Sequence, residues 1–140
     1  MGSTPKPGTN LLGLGLDVFL TEKLKGAVKS HRMKFNLSFA AHVTDLPQAV
    51  GDKAEAIVVQ VPTQFGQALK LTQELLYRFP NAALLVLSPK SDPHLLVHFF
   101  RAGAFDVLFY PVDALEIVQA LRRVSVQPGD LRRTNDWTPL

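Results

Sequence analysis

Residues Ala83 to Val124 read ALLVLSPKSDPHLLVHFFRAGAFDVLFYPVDALEIVQALRRV, and this stretch decides the fold. Ala83 to Leu87 is a short apolar run ended by the hydroxyl of Ser88, as expected of a buried strand. Pro93 to Ala102 is helical in length and closes on Ala-Gly-Ala at Ala102 to Ala104. Phe105 to Phe109 is a second apolar strand, which ends at Tyr110-Pro111. Asp113 to Val124 then repeats apolar residues at the spacing of an amphipathic helix.

The same alternation extends upstream. Glu55 to Val61, EAIVVQV, is β-branched and apolar, the composition of a central parallel strand covered on both faces, and Pro62 ends it. Phe65 to Phe79 lays Ala68, Leu69, Leu71, Leu75, Leu76 and Phe79 along a broad apolar face before Pro80 stops the helix. Phe35 to Phe39 alternates apolar and polar residues, and Thr44-Asp45-Leu46-Pro47 carries cap residues and an early proline that predict a short helix through Val50. Leu11 to Leu16 is an apolar strand closed by Asp17, and from Val18 to Arg32 Leu20, Leu24, Ala27 and Val28 recur on one helical face. Five strand-then-helix units predict an α/β fold: a flavodoxin-like (βα)5, doubly wound parallel sheet in the order 2-1-3-4-5. A ligand or reacting group in such a sheet sits at the carboxyl ends of the strands, here Asp17, Gln60, Ser88 and Tyr110.

The length of 140 residues suits one domain. Residues 1–10, broken by Pro5 and Pro7, read as a flexible segment, 11–125 as the domain, and 126–140 as a tail or the stub of a linker. A hydrophobic share of 46% against 19% charged residues is that of a folded chain. The absence of cysteine excludes disulfides and thiolate chemistry. Without a long apolar run or a signal pattern, the expectation is a soluble cytoplasmic domain with no membrane partner. The formal charge of +3 comes partly from Lys23, Lys25, Lys29, Arg32 and Lys34. They lack aromatic platforms or a recognition motif, so they read as a solvated helix face and direct nucleic-acid binding is not expected.

Gly13-Leu14-Gly15 lies within a strand and has Val18 where a third glycine belongs, so it fails the context of a dinucleotide loop. His94 and His98 stand four apart on a helix without a further ligand at a matching position, and no metal site is expected. Ser88 has no histidine and acid arranged by a recognisable motif. Neither an enzyme nor a cofactor is expected.

The order and spacing of Ser88, Ala102 to Ala104 and Tyr110-Pro111 resemble the second half of a response-regulator receiver domain. The resemblance covers most of Leu11 to Val124 and is concentrated in Ser88 to Pro111. It implies a phosphotransfer site with an acid pair after the first strand, an aspartate acceptor after the third, a hydroxyl after the fourth and a lysine before the proline. Acids of this kind hold Mg²⁺, which takes oxygen ligands. In this chain the acid pair becomes Leu16 and Asp17, Ser88 keeps the hydroxyl, and Tyr110 replaces the lysine. The acceptor position is Gln60 counted from the start of the strand, or Val58 counted back from Pro62 and Gly66, and neither forms an acyl phosphate. The sequence therefore resembles an atypical pseudo-receiver that works independently of phosphorylation. Tyr110 either covers the altered pocket or packs at the strand end, and the family often has a cis peptide before the proline.

The helix Pro93 to Ala102 is apolar almost all round. Val97 and Phe100 are expected inward, leaving Leu95, Leu96 and Phe99 toward solvent or the next helix, extended by Leu115. With Val107, where the family often has a switching aromatic residue, these form the expected interaction face for a protein partner or a homodimer; the other expectation is that the tail, with Trp137 and Leu140, covers Leu95 and Phe99. The reading is a protein-interaction or self-association module, one form of which is the N-terminal regulatory domain of a larger regulator. Its alternative is a small-ligand sensor with Asp17, Gln60, Ser88 and Tyr110 as contacts.

Overall fold

The computed structural model describes residues 8–46, 53–89 and 93–125. Its strands are β1 (Thr9–Leu14), β2 (Phe35–Ala40), β3 (Ala56–Gln60), β4 (Ala83–Ser88) and β5 (Asp106–Phe109), and its α-helices are α1 (Val18–Ser30), α2 (Phe65–Arg78), α3 (Pro93–Ala102) and α4 (Ala114–Ser125). All strand pairs are parallel, in the order β2-β1-β3-β4-β5. This is the expected topology.

Because side chains alternate across a strand, the sheet has two apolar faces and needs a helix layer on each. Leu11, Val58, Leu85 and Leu87 point to one layer and meet Leu20 and Leu24 of α1 with Val118 and Leu121 of α4. Leu12, Ile57, Val59, Leu84 and Val86 point to the other and meet Ala68 and Leu75 of α2 with Phe99 of α3. The β-branched central strand β3 is thus buried on both sides, as its composition demands.

The helix starts are set locally. Asp17 caps α1 by accepting the Leu20 N–H at 2.8 Å. Asp113 and Glu116 exchange side-chain and backbone bonds at 3.2 Å and 2.8 Å, a capping box for α4. Gly103, at φ 112°, turns the chain out of α3, and a Cβ there would come within 2.9 Å of the Leu76 side chain.

Several expectations need correction. β1 begins at Thr9 and ends at Leu14, because Thr9 N–H bonds Lys34 O and the chain then turns at Gly15, with φ 67°. Asp17 is therefore a helix cap and not a strand end. Between β2 and β3 the described residues hold a 3-10 turn, Val43–Asp45, in place of the start of an α-helix; residues 47–50 of that expected helix lie outside the described residues. So do residues 1–7 and the tail 126–140, including Trp137 and Leu140.

The largest correction concerns α3. Phe99 is 1% exposed, while Val97 and Phe100 are 47% and 43% exposed, the reverse of the expected orientation. Phe99 packs edge-on against Phe65 of α2, with ring centroids 5.8 Å apart, inside the layer that also holds Val107. Leu95 and Leu96 pack partly buried against that layer, so neither they nor the buried Phe99 and Val107 form the expected open face. Leu115 is exposed, but it lies on α4, across the sheet from α3.

Candidate functional site

The carboxyl ends of β1 and β3 meet at one contact between residues 43 positions apart. The Asp17 N–H donates to Gln60 Oε1 at 2.7 Å, and Gln60 Nε2 donates back to Asp17 Oδ2 at 3.2 Å. Asp17 Oδ1 already accepts the Leu20 N–H. A neutral amide, being both donor and acceptor, is the side chain that can satisfy an N–H and a carboxylate together. Gln60 thereby ties the end of β3 to the start of α1.

Val58 lies two residues back inside the strand, pairs with Gly13 and Leu85 in register, and is buried. Leu16, Leu20, Leu87, Leu108 and Ile117 close around it. A carboxylate at this point would be surrounded by aliphatic carbon, without a donor to offset its lost hydration.

Ser88 is buried, and its backbone carbonyl accepts the Tyr110 N–H at 2.9 Å. Tyr110 is half-buried against the layer between the sheet and α1 and α4, and the Tyr110-Pro111 peptide is cis. The amine of Lys23, one turn into α1, donates to Val112 O at 2.6 Å. Spacing gave no hint of this lysine, because its partner is 89 residues away and is a backbone atom.

Among the described residues the four expected pocket residues are divided between clefts. Asp17 and Tyr110 line a cleft of about 240 Å³ with Phe19, Leu20, Lys23, Pro111 and Val112. Gln60 lines another of about 370 Å³, on the α2 side, with Leu14, Gly15, Ala41, His42, Val43, Val59, Val61, Pro62 and Leu71. Ser88 lines neither. Gly15, Phe19 and His42 had not been expected at the site, because nothing in their own sequence neighbourhood signals a cleft.

The donor set does not fit a Mg²⁺ ion of the receiver type. Such an ion needs several converging oxygens. Asp17 is one carboxylate with both oxygens engaged. Leu14, Gly15 and Leu16 bring no side-chain oxygen. Among the described residues no group of three or more His, Cys, Asp or Glu side chains comes together. No described helix is long and apolar enough to cross a membrane.

No family model matches the sequence, and no curated protein matches it as a relative. Solved structures do match. A response regulator from Thermotoga maritima superposes with a TM-score of 0.72 at 18% identity, covering 86% of this chain and 100% of that one. NtrX from Brucella abortus gives 0.74 at 18% identity, covering 93% of this chain and 30% of that one. A protein from Burkholderia thailandensis assigned to pilus assembly, CpaE, gives 0.69 at 18% identity, with 85% and 99% covered. With its strand order of 2-1-3-4-5, the chain has the α/β fold of response-regulator receiver domains.

Proposed function

We propose that this chain is a receiver-fold signalling module that accepts no phosphoryl group and acts through protein–protein contact. The observation that carries this reading is the reciprocal Asp17–Gln60 pair. It places a neutral amide at the end of β3 and engages both oxygens of Asp17, the only acid between β1 and α1. The aliphatic surroundings of Val58 and the tyrosine before Pro111 support it further. With neither acceptor nor ion-holding acids, transfer to this domain lacks its first chemical step, and the strand-end region is held in a single state. Its function as a signalling element then rests on its surfaces. The matched fold is 30% of the NtrX chain and 100% of the Thermotoga maritima response regulator, so a part of a larger regulator and a free-standing domain both fit this reading.

Incubation with acetyl phosphate and Mg²⁺ should leave the intact mass unchanged. Beryllofluoride with Mg²⁺, which mimics an acyl phosphate, should leave the melting temperature unchanged. A phosphoryl adduct, or saturable stabilisation by beryllofluoride, would overturn the reading.

A second reading, a small-ligand sensor, is favoured by one observation. The 370 Å³ cleft lies outside the ends of β1 and β3, where the connections diverge to opposite sides of the sheet. Saturable amide shifts at Gly15 and His42 on addition of a ligand would establish it.

A further inference from the structure

We infer that the outward face of α1 is a self-docking surface, on which two copies of this chain pair their first helices antiparallel. Val18 and Phe19 are adjacent and 80% and 77% exposed, although α1 already buries Leu20, Leu24, Ala27 and Val28 in its own domain. These two apolar side chains are not needed for the fold. An exposed phenylalanine beside another exposed apolar residue marks a contact surface more often than a lone apolar residue does.

Helical spacing puts Val18, Glu22, Lys25 and Lys29 along one outward stripe, with Phe19, Gly26 and Ser30 on its flank. Gly26 has nothing within 4 Å of where a Cβ would stand, so no neighbour in the fold excludes a larger residue. Inside a helix, glycine costs about 1 kcal/mol relative to alanine. The notch it leaves, bordered by Ser30, is room for a side chain from outside.

A two-fold axis between Glu22 and Lys25 satisfies these features together. A two-fold that pairs antiparallel helices keeps each flank on its own side, so Phe19 of one copy faces the notch at Gly26 and Ser30 of the other. The same axis sets Glu22 against Lys25 of the second copy, twice. Within one copy Glu22 and Lys25 are 3.4 Å apart and largely exposed, and the Lys25 ammonium also lies 5.6 Å from the centroid of the Phe39 ring, so exchanging partners gives up two weak contacts. The occupant is thus a second copy: the axis pairs Glu22 with Lys25 twice and seats each Phe19 in the other copy's notch, while Lys29 falls opposite Val18 and stays solvated. A 13-residue helix gives an interface of about 20 Å in length, at the small end for proteins, so the dimer is weak and concentration-dependent.

The test is sedimentation velocity with light scattering over a wide concentration series. Wild type should dimerise. Phe19→Ala should weaken the dimer about tenfold or more without lowering the melting temperature, because the ring is solvent-exposed in the monomer. Glu22→Lys and Lys25→Glu should each weaken it about tenfold at low salt, and the double swap should restore it. Wild type remaining monomeric at the highest concentration overturns the inference. So does a dimer indifferent to all three single changes, which would place self-association elsewhere, on the exposed Val97 and Phe100 of α3 for example. Failure here leaves the phosphotransfer test above untouched, since the two use different readouts and only Phe19, which also lines the Asp17 cleft, is shared between them.

Discussion

Replacing Gln60 by glutamate tests the strand-end bond directly. The change is isosteric and keeps the acceptor for the Asp17 N–H, which sits at 2.7 Å. It converts the donor at 3.2 Å from Asp17 Oδ2 into a second negative oxygen. Two unit charges at that separation repel by about 1 kcal/mol in a dielectric of 80 and about 5 kcal/mol in one of 20. Asp17 is exposed and Gln60 half-buried, which favours the low end of that range. Losing the Nε2–H donor adds about 1 kcal/mol. A stronger, charge-assisted bond from the Asp17 N–H offsets part of this. The net expectation is a loss of about 1–2 kcal/mol at neutral pH.

The pH dependence separates charge from packing. Like charges this close in the folded variant favour uptake of one proton more than the unfolded chain does, so the native state binds the extra proton. Stability of the variant therefore falls as pH rises through the carboxylate range, and the deficit shrinks in acid. Gln60→Ala loses both bonds without adding charge, so its deficit relative to wild type should show no matching step in that window. Urea unfolding followed by circular dichroism, from acid to neutral pH, reads both as midpoint shifts at constant slope. A Gln60→Glu deficit that does not change with pH, or no deficit at all, refutes the bond geometry.

Three further outcomes follow from burial and backbone conformation. Phe99→Ala should cost about 3–5 kcal/mol in urea unfolding, whereas Phe100→Ala should cost clearly less, about 1–2, because the first ring fills the core and the second is 43% exposed. Val58→Asp should lower the melting temperature sharply and still give no phosphoryl adduct with acetyl phosphate, since the new acid is buried among leucines without a charge partner. Gly15→Ala should cost about 1–2 kcal/mol, the strain of an L-residue at φ 67°, because no atom lies closer than 3.6 Å to the new methyl and so no clash adds to it; a loss well above this range would reveal a steric term instead.

The sequence by itself determined the sheet and its order. Alternation of short apolar runs with helical periods leaves few topologies once crossovers must be right-handed, and EAIVVQV could only be a strand covered twice. It also determined what the strand ends lack, because the absence of an acceptor carboxylate at 58 and 60 is a matter of residue identity. Only the tertiary structure decided which face of α3 is inside. Apolar residues surround that helix, so periodicity offers two inward faces, and the choice falls to Phe65 on α2, which supplies the ring that Phe99 meets. The sequence placed Asp17 and Gln60 at neighbouring strand ends, but only the turn at Gly15 and the register of β1 on β3 decided that they bond reciprocally. The exposure of Val18 and Phe19 came from the same source, since the roll of α1 on the sheet is set by Leu20, Leu24, Ala27 and Val28 packing inward. Sequence patterns encode periods along the chain, while contacts between distant segments depend on how those periods are aligned in space.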